Sequence, residues 1–401
     1  MTITCADCGA TQVILPLPTG ATARCHRCDR LLARRSKTGF DLSLACAMAI
    51  CILLPAAVFM PVMDSTIRKL GFIESRLVSS VPVIYSEVWF PFAFGFLFFA
   101  FLFPAFRALF QVIVLGSLRW QWGIWQTGRI FRWNEQLRFW SMTDVVVIAG
   151  VVAYFRASAP AGVEARVGAW CYLAVAILAL AGDRSMDTRA VWNAILPDTA
   201  SYPDRHFASC DVCEMAVPSR RPGDQCPRCG STLDRNIAVR FAPVLGAVAV
   251  AIPLCLPAYT AAIIVNDNLT GVWQHTFLGT VQLLADRGYW QYGVVVLLAA
   301  VVIPALELIG LIWMLARVLF PSKRGLLTRT RLYRALRRLA HWPMIIPFIA
   351  AIAAPVVDVR GIRDLVAGPG ATPLFMVIAL LMLAMGLFRP RLMWATAGEA
   401  T

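Results

Sequence analysis

The feature that most constrains this chain is a series of eight apolar runs. A helix needs about 20 residues to cross a hydrocarbon core of about 30 Å, and the mean hydropathy of +0.67 is typical of membrane proteins. We therefore predict a mainly α, polytopic membrane protein. The runs near 167 and 342 are short, so six or seven full spans remain an alternative. The runs cover about 41–63, 88–115, 139–156, 167–182, 241–265, 289–320, 342–357 and 372–388.

The basic residues lie between the apolar runs rather than on one soluble domain. The formal net charge is +14, but its dispersal argues against a nucleic-acid partner. Lys and Arg concentrate before the first run, after the second, after the fourth and after the sixth. These connections lie on one side of an eight-span bundle, and positive charge favours the cytosol. We predict a bacterial inner-membrane protein with both termini cytosolic.

Eight of the twelve cysteines form four C-x2-C pairs, two at the start of each half. Two such pairs place four thiolates around one tetrahedral Zn²⁺. Gly9 and Gly230 directly follow a cysteine where the turn favours a permissive backbone, and Asp29 takes this place in another knuckle. We predict two cytosolic zinc ribbons, each holding one Zn²⁺, with the ligands Cys5, Cys8, Cys25 and Cys28 in the first and Cys210, Cys213, Cys226 and Cys229 in the second.

Two other interpretations of the ribbons stay open. Iron in the same cage would make a rubredoxin-like electron-transfer protein of the membrane, because spacing alone does not separate the two metals. A zinc-ribbon membrane scaffold that recruits a cytosolic partner is the second alternative. Since four thiolates leave no open coordination position on the metal, we do not expect an enzyme.

The chain repeats itself at an offset of about 200 residues. Pro104 matches Pro304 at 200, and Trp140 matches Trp342 at 202. Because each half contains an even number of runs, the halves enter the membrane in the same direction and form parallel pseudo-repeats. We predict a zinc ribbon at 1–37, a transmembrane module of about four helices at 38–192, a second ribbon at 203–236 and a second module at 237–396.

Three charged residues lie inside the apolar runs. Arg107 and Glu307 follow the matched Pro104 and Pro304 by three residues, and Asp144 opens the third run. Charges at membrane depth are costly unless paired, so we predict an intramembrane polar network of Arg107, Asp144 and Glu307. Each proline should kink its helix. A kink beside a charge suggests a gate, and protonation of Asp144 or Glu307 is a hypothesis for coupling proton movement to its opening.

With these features the chain resembles the paraquat-inducible protein A family, whose members pair two such ribbons with two four-helix membrane modules. The resemblance covers nearly the whole chain. Besides the ribbon cysteines and the two prolines, it is carried by the segments 140–145 (WSMTDV), 187–192 (DTRAVW) and 389–394 (RPRLMW).

The resemblance implies transport of phospholipid between the inner and outer membranes, together with a periplasmic protein of mammalian-cell-entry domains. The family usually has a Lys where this chain has Glu307, so of the charged network only Asp144 lies on a matching position. The sequence has no G-x4-G-K-[ST] signature of an ATPase. Energy would therefore come from the proton gradient or from lipid flow.

Overall fold

The computed structural model of this chain is mainly helical. The predicted domain boundaries at 37, 203 and 236 lie outside the described residues and stay predictions. The described residues are 2–15, 17–35, 40–67, 71–86, 90–122, 126–161, 164–197, 208–217, 223–233, 237–268, 271–286, 288, 290–349, 352 and 364–398.

The first half begins with two short hairpins and continues into helices interrupted by a small sheet. In chain order its elements are β1 (Thr2–Thr4), β2 (Thr11–Val13), β3 (Thr22–Arg24), β4 (Leu31–Arg34), α1 (Asp41–Phe59), β5 (Pro61–Ile67), β6 (Gly71–Arg76), α2 (Leu77–Ser86), α3 (Phe90–Phe96), α4 (Phe103–Trp120), α5 (Thr127–Trp140), α6 (Thr143–Ala161), β7 (Glu164–Ala165), α7 (Val167–Ser185) and α8 (Thr188–Ile195).

The second half repeats this order. A 3-10 turn at Trp342–Met344 takes the place that the junction between α5 and α6 has in the first half. The elements are β8 (Ala208–Ser209), β9 (Ala216–Val217), α9 (Ile237–Thr260), β10 (Ala262–Asn268), β11 (Gly271–Thr276), α10 (Phe277–Asp286), α11 (Trp290–Leu297), α12 (Ile303–Leu319), α13 (Leu326–Leu339), β12 (Asp364–Ala367), α14 (Ala371–Leu387) and α15 (Arg391–Thr396).

Six helices of the described part are long and apolar enough to cross a membrane. The short run near 167 forms one of them, while Ala371–Leu387 is a shorter apolar helix. The polytopic helical fold and the two-repeat organisation are thereby confirmed. The six helices are Asp41–Phe59, Pro91–Trp120, Thr127–Phe155, Val167–Ser185, Val239–Thr260 and Gly293–Leu319.

A three-stranded antiparallel sheet follows the first long helix of each half. The strand orders, β6-β5-β7 and β11-β10-β12, are the same. The register is also the same, since Met63 pairs with Ala165 and Ile264 with Ala367 at corresponding positions. Because α1 and α9 each run from a ribbon to a sheet, the sheets lie at the end of the bundle opposite the ribbons. The sequence analysis does not predict these sheets.

The two proline positions predicted to kink a helix lie directly after π-helical segments. Leu97–Leu102 precedes Pro104 and Leu298–Val302 precedes Pro304. Proline has no N–H to donate and its ring clashes with the carbonyl four residues earlier. The wider π-helical turn accommodates that clash, and such turns often mark functional sites.

A tyrosine hydroxyl supplies a donor to the carbonyl four residues before each proline. Tyr172 donates to the Ala100 carbonyl at 2.8 Å, and Tyr259 donates to the Ala300 carbonyl at 2.7 Å. The tyrosines are not matched in the repeat, because Tyr172 lies on the last long helix of its half and Tyr259 on the first. Each of these two hydrogen bonds satisfies a backbone carbonyl at a depth where water is not available as a donor.

We expect Tyr172→Phe to destabilise the first module by about 1 kcal/mol, because the Ala100 carbonyl loses a buried hydrogen bond while the ring stays in place. Thermal unfolding of the detergent-solubilised protein measures this loss. Tyr154→Phe, on the half-buried ring of α6, is the matched control. An unchanged unfolding midpoint for Tyr172→Phe would contradict the assigned bond.

Candidate metal centres and intramembrane charges

All four cysteine knuckles have the same backbone geometry. In each, the residue after the second cysteine has a left-handed conformation, with φ between 58° and 75° at Gly9, Asp29, Glu214 and Gly230. Its N–H donates to the carbonyl of the first cysteine at 2.8–3.0 Å, which closes a tight turn between the two thiols. The expected need for a permissive backbone at Gly9 and Gly230 is confirmed. Asp29 and Glu214 adopt the same left-handed backbone conformation, which residues with a Cβ rarely take.

The eight predicted ligand cysteines come together in two clusters. Within each cluster the four Sγ atoms lie within 4.8 Å of one another, and all eight thiols are buried. The closest sulfur pairs are 3.4 to 3.6 Å apart. A tetrahedron with metal–sulfur bonds of about 2.3 Å has edges of about 3.8 Å. Each cluster therefore fits one small tetrahedral cation, and four sulfur donors suit zinc or iron.

The Cys28 thiol of the first cluster is contacted by an arginine of the second repeat. Hydrogen bonds with Cys5 and Cys8 lower the pKa of Cys28 to about 4. Arg334 also donates from Nη2 to the Cys28 Sγ at 3.2 Å. Because Arg334 lies on α13, the second repeat directly contacts a predicted metal ligand of the N-terminal ribbon.

The first ribbon packs on the second repeat. The carboxylate of Asp7 accepts from Arg30 within the ribbon and from the Nε of Arg334 at 2.8 Å. The guanidinium of Arg27 lies 4.5 Å from the ring centroid of Trp394, on α15. Thus the N-terminal ribbon contacts α13 and α15 rather than only the module that follows it in sequence.

The second ribbon packs on the first repeat. The carbonyl oxygen of Arg228 lies so close to Gly128, on α5, that a Cβ there would overlap it. The Arg228 guanidinium donates to the Leu196 carbonyl just after α8. Phe131 and Trp192 share a buried cluster with the four ribbon cysteines. The two ribbons therefore cross, each packing against the other repeat.

Ion pairs made by a ribbon carboxylate join the two ribbons to each other and to the first repeat. Glu214 accepts from Arg30 of the first ribbon at 3.2 Å and from Arg189 of α8 at 3.3 Å. Burial opposes the charge on Arg30, but Glu214 and Asp7 outweigh it and raise the pKa of Arg30 above its ordinary value. A single carboxylate thus links both ribbons to the first repeat.

Arg107 pairs with an acidic residue that the sequence analysis does not single out. Its guanidinium, buried in the first module, donates to the carboxylate of Asp183 on α7. Arg138 lies 3.5 Å from the other carboxylate oxygen of Asp183. A small cavity whose lining includes Gln111 and Thr143 adjoins this pair.

The structure does not bring Arg107, Asp144 and Glu307 into one ion-paired network within the described residues. Asp144 is exposed at the start of α6. Glu307 is 1% exposed on α12, and its Oε1 has no hydrogen-bond partner among the described residues. The matched positions of the two repeats thus differ, with a paired cation in the first and a buried carboxyl in the second.

Asp183 could have been found from sequence, because it is the single acidic residue of α7. A lone acid near the ribbon end of an apolar helix is a natural partner for a buried arginine on another helix of the module. The tyrosine donors Tyr172 and Tyr259 have no such signal. Only the packing of helices far apart in sequence brings them to the proline helices.

Fold and sites together define a multi-pass membrane protein of two repeats that carries two four-cysteine metal-binding ribbons. The family model of Paraquat-inducible protein A matches residues 40–195 and 242–397, one match in each repeat. The chain therefore belongs to this family.

Two similar proteins match nearly the whole chain, and a third matches about two thirds of it. The Intermembrane transport protein PqiA of Escherichia coli (strain K12) is 25% identical over 99% of this chain and 96% of its own length. The Lipophilic envelope-spanning tunnel protein A of the same organism is 25% identical over 65% of this chain and 61% of its own length. A Probable intermembrane transport protein of Haemophilus influenzae is 22% identical over 97% of this chain and 95% of its own length. No solved structure gives a significant match.

We expect Gly128→Ala to displace the second ribbon from α5, because the added Cβ would overlap the backbone carbonyl of Arg228. Such overpacking costs about 1–3 kcal/mol. Faster proteolysis within 208–233 and faster release of metal to a chelator measure the displacement. Gly246→Ala is the matched control, since its Cβ would enter open space on α9. Equal ribbon protection in both variants would contradict the packing.

Proposed function

We propose that this protein is the inner-membrane subunit of a system that transports phospholipid between the inner and outer membranes. It works with a periplasmic protein of mammalian-cell-entry domains, and it moves lipid rather than catalysing a reaction. The observation that carries the proposal is the match over 99% of the chain to a protein named for intermembrane transport.

The distribution of charge supports the proposed orientation. Lys and Arg gather at the ribbon end of the bundle, which the positive-inside rule assigns to the cytosol. The ribbons and both termini are then cytosolic, and the two sheets face the periplasm. Two sheets of equal register, one on each repeat, give a periplasmic partner two similar surfaces to contact.

The buried charges support a role in energy coupling. Glu307 lies at membrane depth, and its Oε1 has no partner in the part of the chain that the structure describes. Ionisable groups at such depth mark proton or substrate pathways. Glu307 follows the π-helical segment before Pro304 by less than two turns, where the helix ladder is already interrupted. In the proposed mechanism proton exchange at Glu307 alters the packing of α12, while the pair of Arg107 and Asp183 holds the matched helix. Asp144 lies at the cytosolic entry to this region.

Each ribbon is proposed to hold one Zn²⁺ in a structural role. Zinc in a closed four-thiolate cage has no redox chemistry and no open position. The free energy of zinc binding stabilises a ribbon that is too small to fold around a core of its own. The crossed packing then lets each ribbon join the two repeats on the cytosolic side.

The transport proposal is tested in cells whose only protein of this family is the present chain. Radiolabelled phospholipid should move between the two membranes at a rate that falls to background when the chain is removed. We expect Glu307→Gln to give the same loss with normal protein abundance, and Glu164→Gln, on the exposed carboxylate of β7, to transport normally.

The partner and the coupling have separate readouts in the same cells. A photo-reactive residue in place of exposed Trp290, near the sheet end, should crosslink to a mammalian-cell-entry protein. Transport by the unaltered chain should fall when a protonophore collapses the pH gradient. Unaltered movement of lipid after removal of the chain would overturn the proposed function, and full activity of Glu307→Gln would overturn the coupling.

Metal analysis separates zinc from iron. We expect two zinc ions per chain in the purified protein, and about one in a Cys8→Ser variant, because the second cluster is built from separate ligands. Iron with an absorption band in the visible range would instead support the electron-transfer alternative. Cys255→Ser, on a thiol outside both clusters, should keep both ions.

A further inference from the structure

A basic cleft lies between the first ribbon, α5 and α13. Seven arginines line it against three carboxylates. No carboxylate of the described residues pairs with Arg331, Arg337 or Arg338, so the cleft has an excess of positive charge. Guanidinium groups gathered in a cleft bind phosphate oxyanions with charge-assisted hydrogen bonds.

The cleft is centred on the pseudo-axis that relates the repeats. Phe139 and His341 are matched in the repeat, and their ring centroids lie 4.6 Å apart. Matched residues meet in this way only near a two-fold axis. The Arg337 guanidinium lies 5.2 Å from the ring centroid of Phe139, and Arg337 donates to the hydroxyl of Tyr333 at 3.1 Å. Both contacts hold a cation at the axis.

A second, apolar crevice begins beside the cleft and extends into the membrane region. Phe94 and Phe98, on its wall, are 44% and 38% exposed. The crevice runs between the repeats, because the first repeat forms one wall and α14 of the second forms the other. Its lining includes Phe94, Phe98, Phe103, Trp140, Phe375 and Ala379.

The two spaces are adjacent. Phe139 lines the basic cleft and Trp140 lines the apolar crevice, and their ring centroids are 5.4 Å apart. The crevice follows the helix from Pro91 to Phe103, a length of about 18 Å at 1.5 Å per residue. Half of a hydrocarbon core of about 30 Å is of similar length. The arginines of the basic cleft and the wall of the apolar crevice are therefore spaced like the headgroup and the acyl chain of one lipid molecule.

We propose that one anionic phospholipid binds between the repeats, with its phosphate among Arg138, Arg337 and Arg338 and an acyl chain along Phe98 and Phe103. This inference rests on the proposed function and names its binding site. A free phosphate shares the chemistry of the cleft, but the adjoining apolar crevice favours a lipid. The excess of arginine favours an anionic headgroup over a zwitterionic one.

The test uses full-length protein in nanodiscs of phosphatidylglycerol and phosphatidylethanolamine, followed by mass spectrometry of the lipid retained after detergent extraction. We expect retained phosphatidylglycerol to fall about tenfold in the double variant Arg337→Gln and Arg338→Gln. The double variant Lys323→Gln and Arg324→Gln removes equal charge from an exposed loop on the same side and should retain it.

The proposed binding site for the acyl chain is tested separately. A photo-reactive residue in place of Phe98 should crosslink to the acyl chain, and Ala379→Trp, which fills the crevice, should abolish that crosslink. Ile309→Trp, on a lipid-facing position of α12 outside the crevice, is the matched control. Zinc content and a single elution peak establish that each variant is folded.

Each outcome bears on the site. The proposal is overturned if the double variant at 337 and 338 retains as much phosphatidylglycerol as the double variant at 323 and 324. An unchanged crosslink in Ala379→Trp also overturns it. Displacement of the retained lipid by millimolar inorganic phosphate would assign the cleft to free phosphate and also overturn it. Specific retention in a protein that moves no lipid in cells would leave the site standing and overturn the proposed function alone.

Discussion

Backbone groups inside a lipid bilayer have no water to bind, so each carbonyl and N–H must find a partner within the protein. This requirement makes the apolar runs helical, and it makes the two prolines the critical positions of the membrane part. Pro104 and Pro304 each remove a donor from a long helix. The structure answers with a π-helical segment before each proline and a tyrosine hydroxyl on the carbonyl four residues earlier. The carbonyl that each proline leaves without its helical donor is thereby satisfied at a matched position in both repeats.

The two ribbons outside the membrane are also stabilised by a small number of specific contacts. Each is too small to bury a core, and a four-thiol cage that can hold one metal ion, closed by two knuckle turns of the same geometry, replaces one. Their crossed packing changes what a ribbon does for the whole chain. Because the first packs on α13 and α15 and the second on α5 and α8, the parallel repeats are joined by contacts that neither makes alone. Loss of metal would therefore loosen the junction between the repeats as well as the ribbon itself.

Divergence between the repeats is concentrated where function is proposed. The sheets keep the same register and the prolines the same place. Arg107, however, pairs with Asp183, while the Oε1 of the matched, buried Glu307 has no partner among the residues that the structure describes. At the pseudo-axis, Phe139 faces His341, and Arg337 and Arg338 of α13 stand where α5 has Glu135 and Gln136. The scaffold is therefore symmetric, whereas its polar interior is not.

The amino-acid sequence alone determined the membrane class, the parallel repeat, the eight cysteines of the two clusters and the places of the prolines. These features depend on hydropathy, spacing and offset, which are local or strictly periodic properties of a chain. Tertiary structure alone decided that Tyr172 and Tyr259 donate to the proline helices from unmatched positions, that the ribbons cross, and that small sheets cap the far end. Each of these depends on contacts between residues far apart in sequence. The free energy of such contacts is set by how whole helices pack, and no local pattern records it.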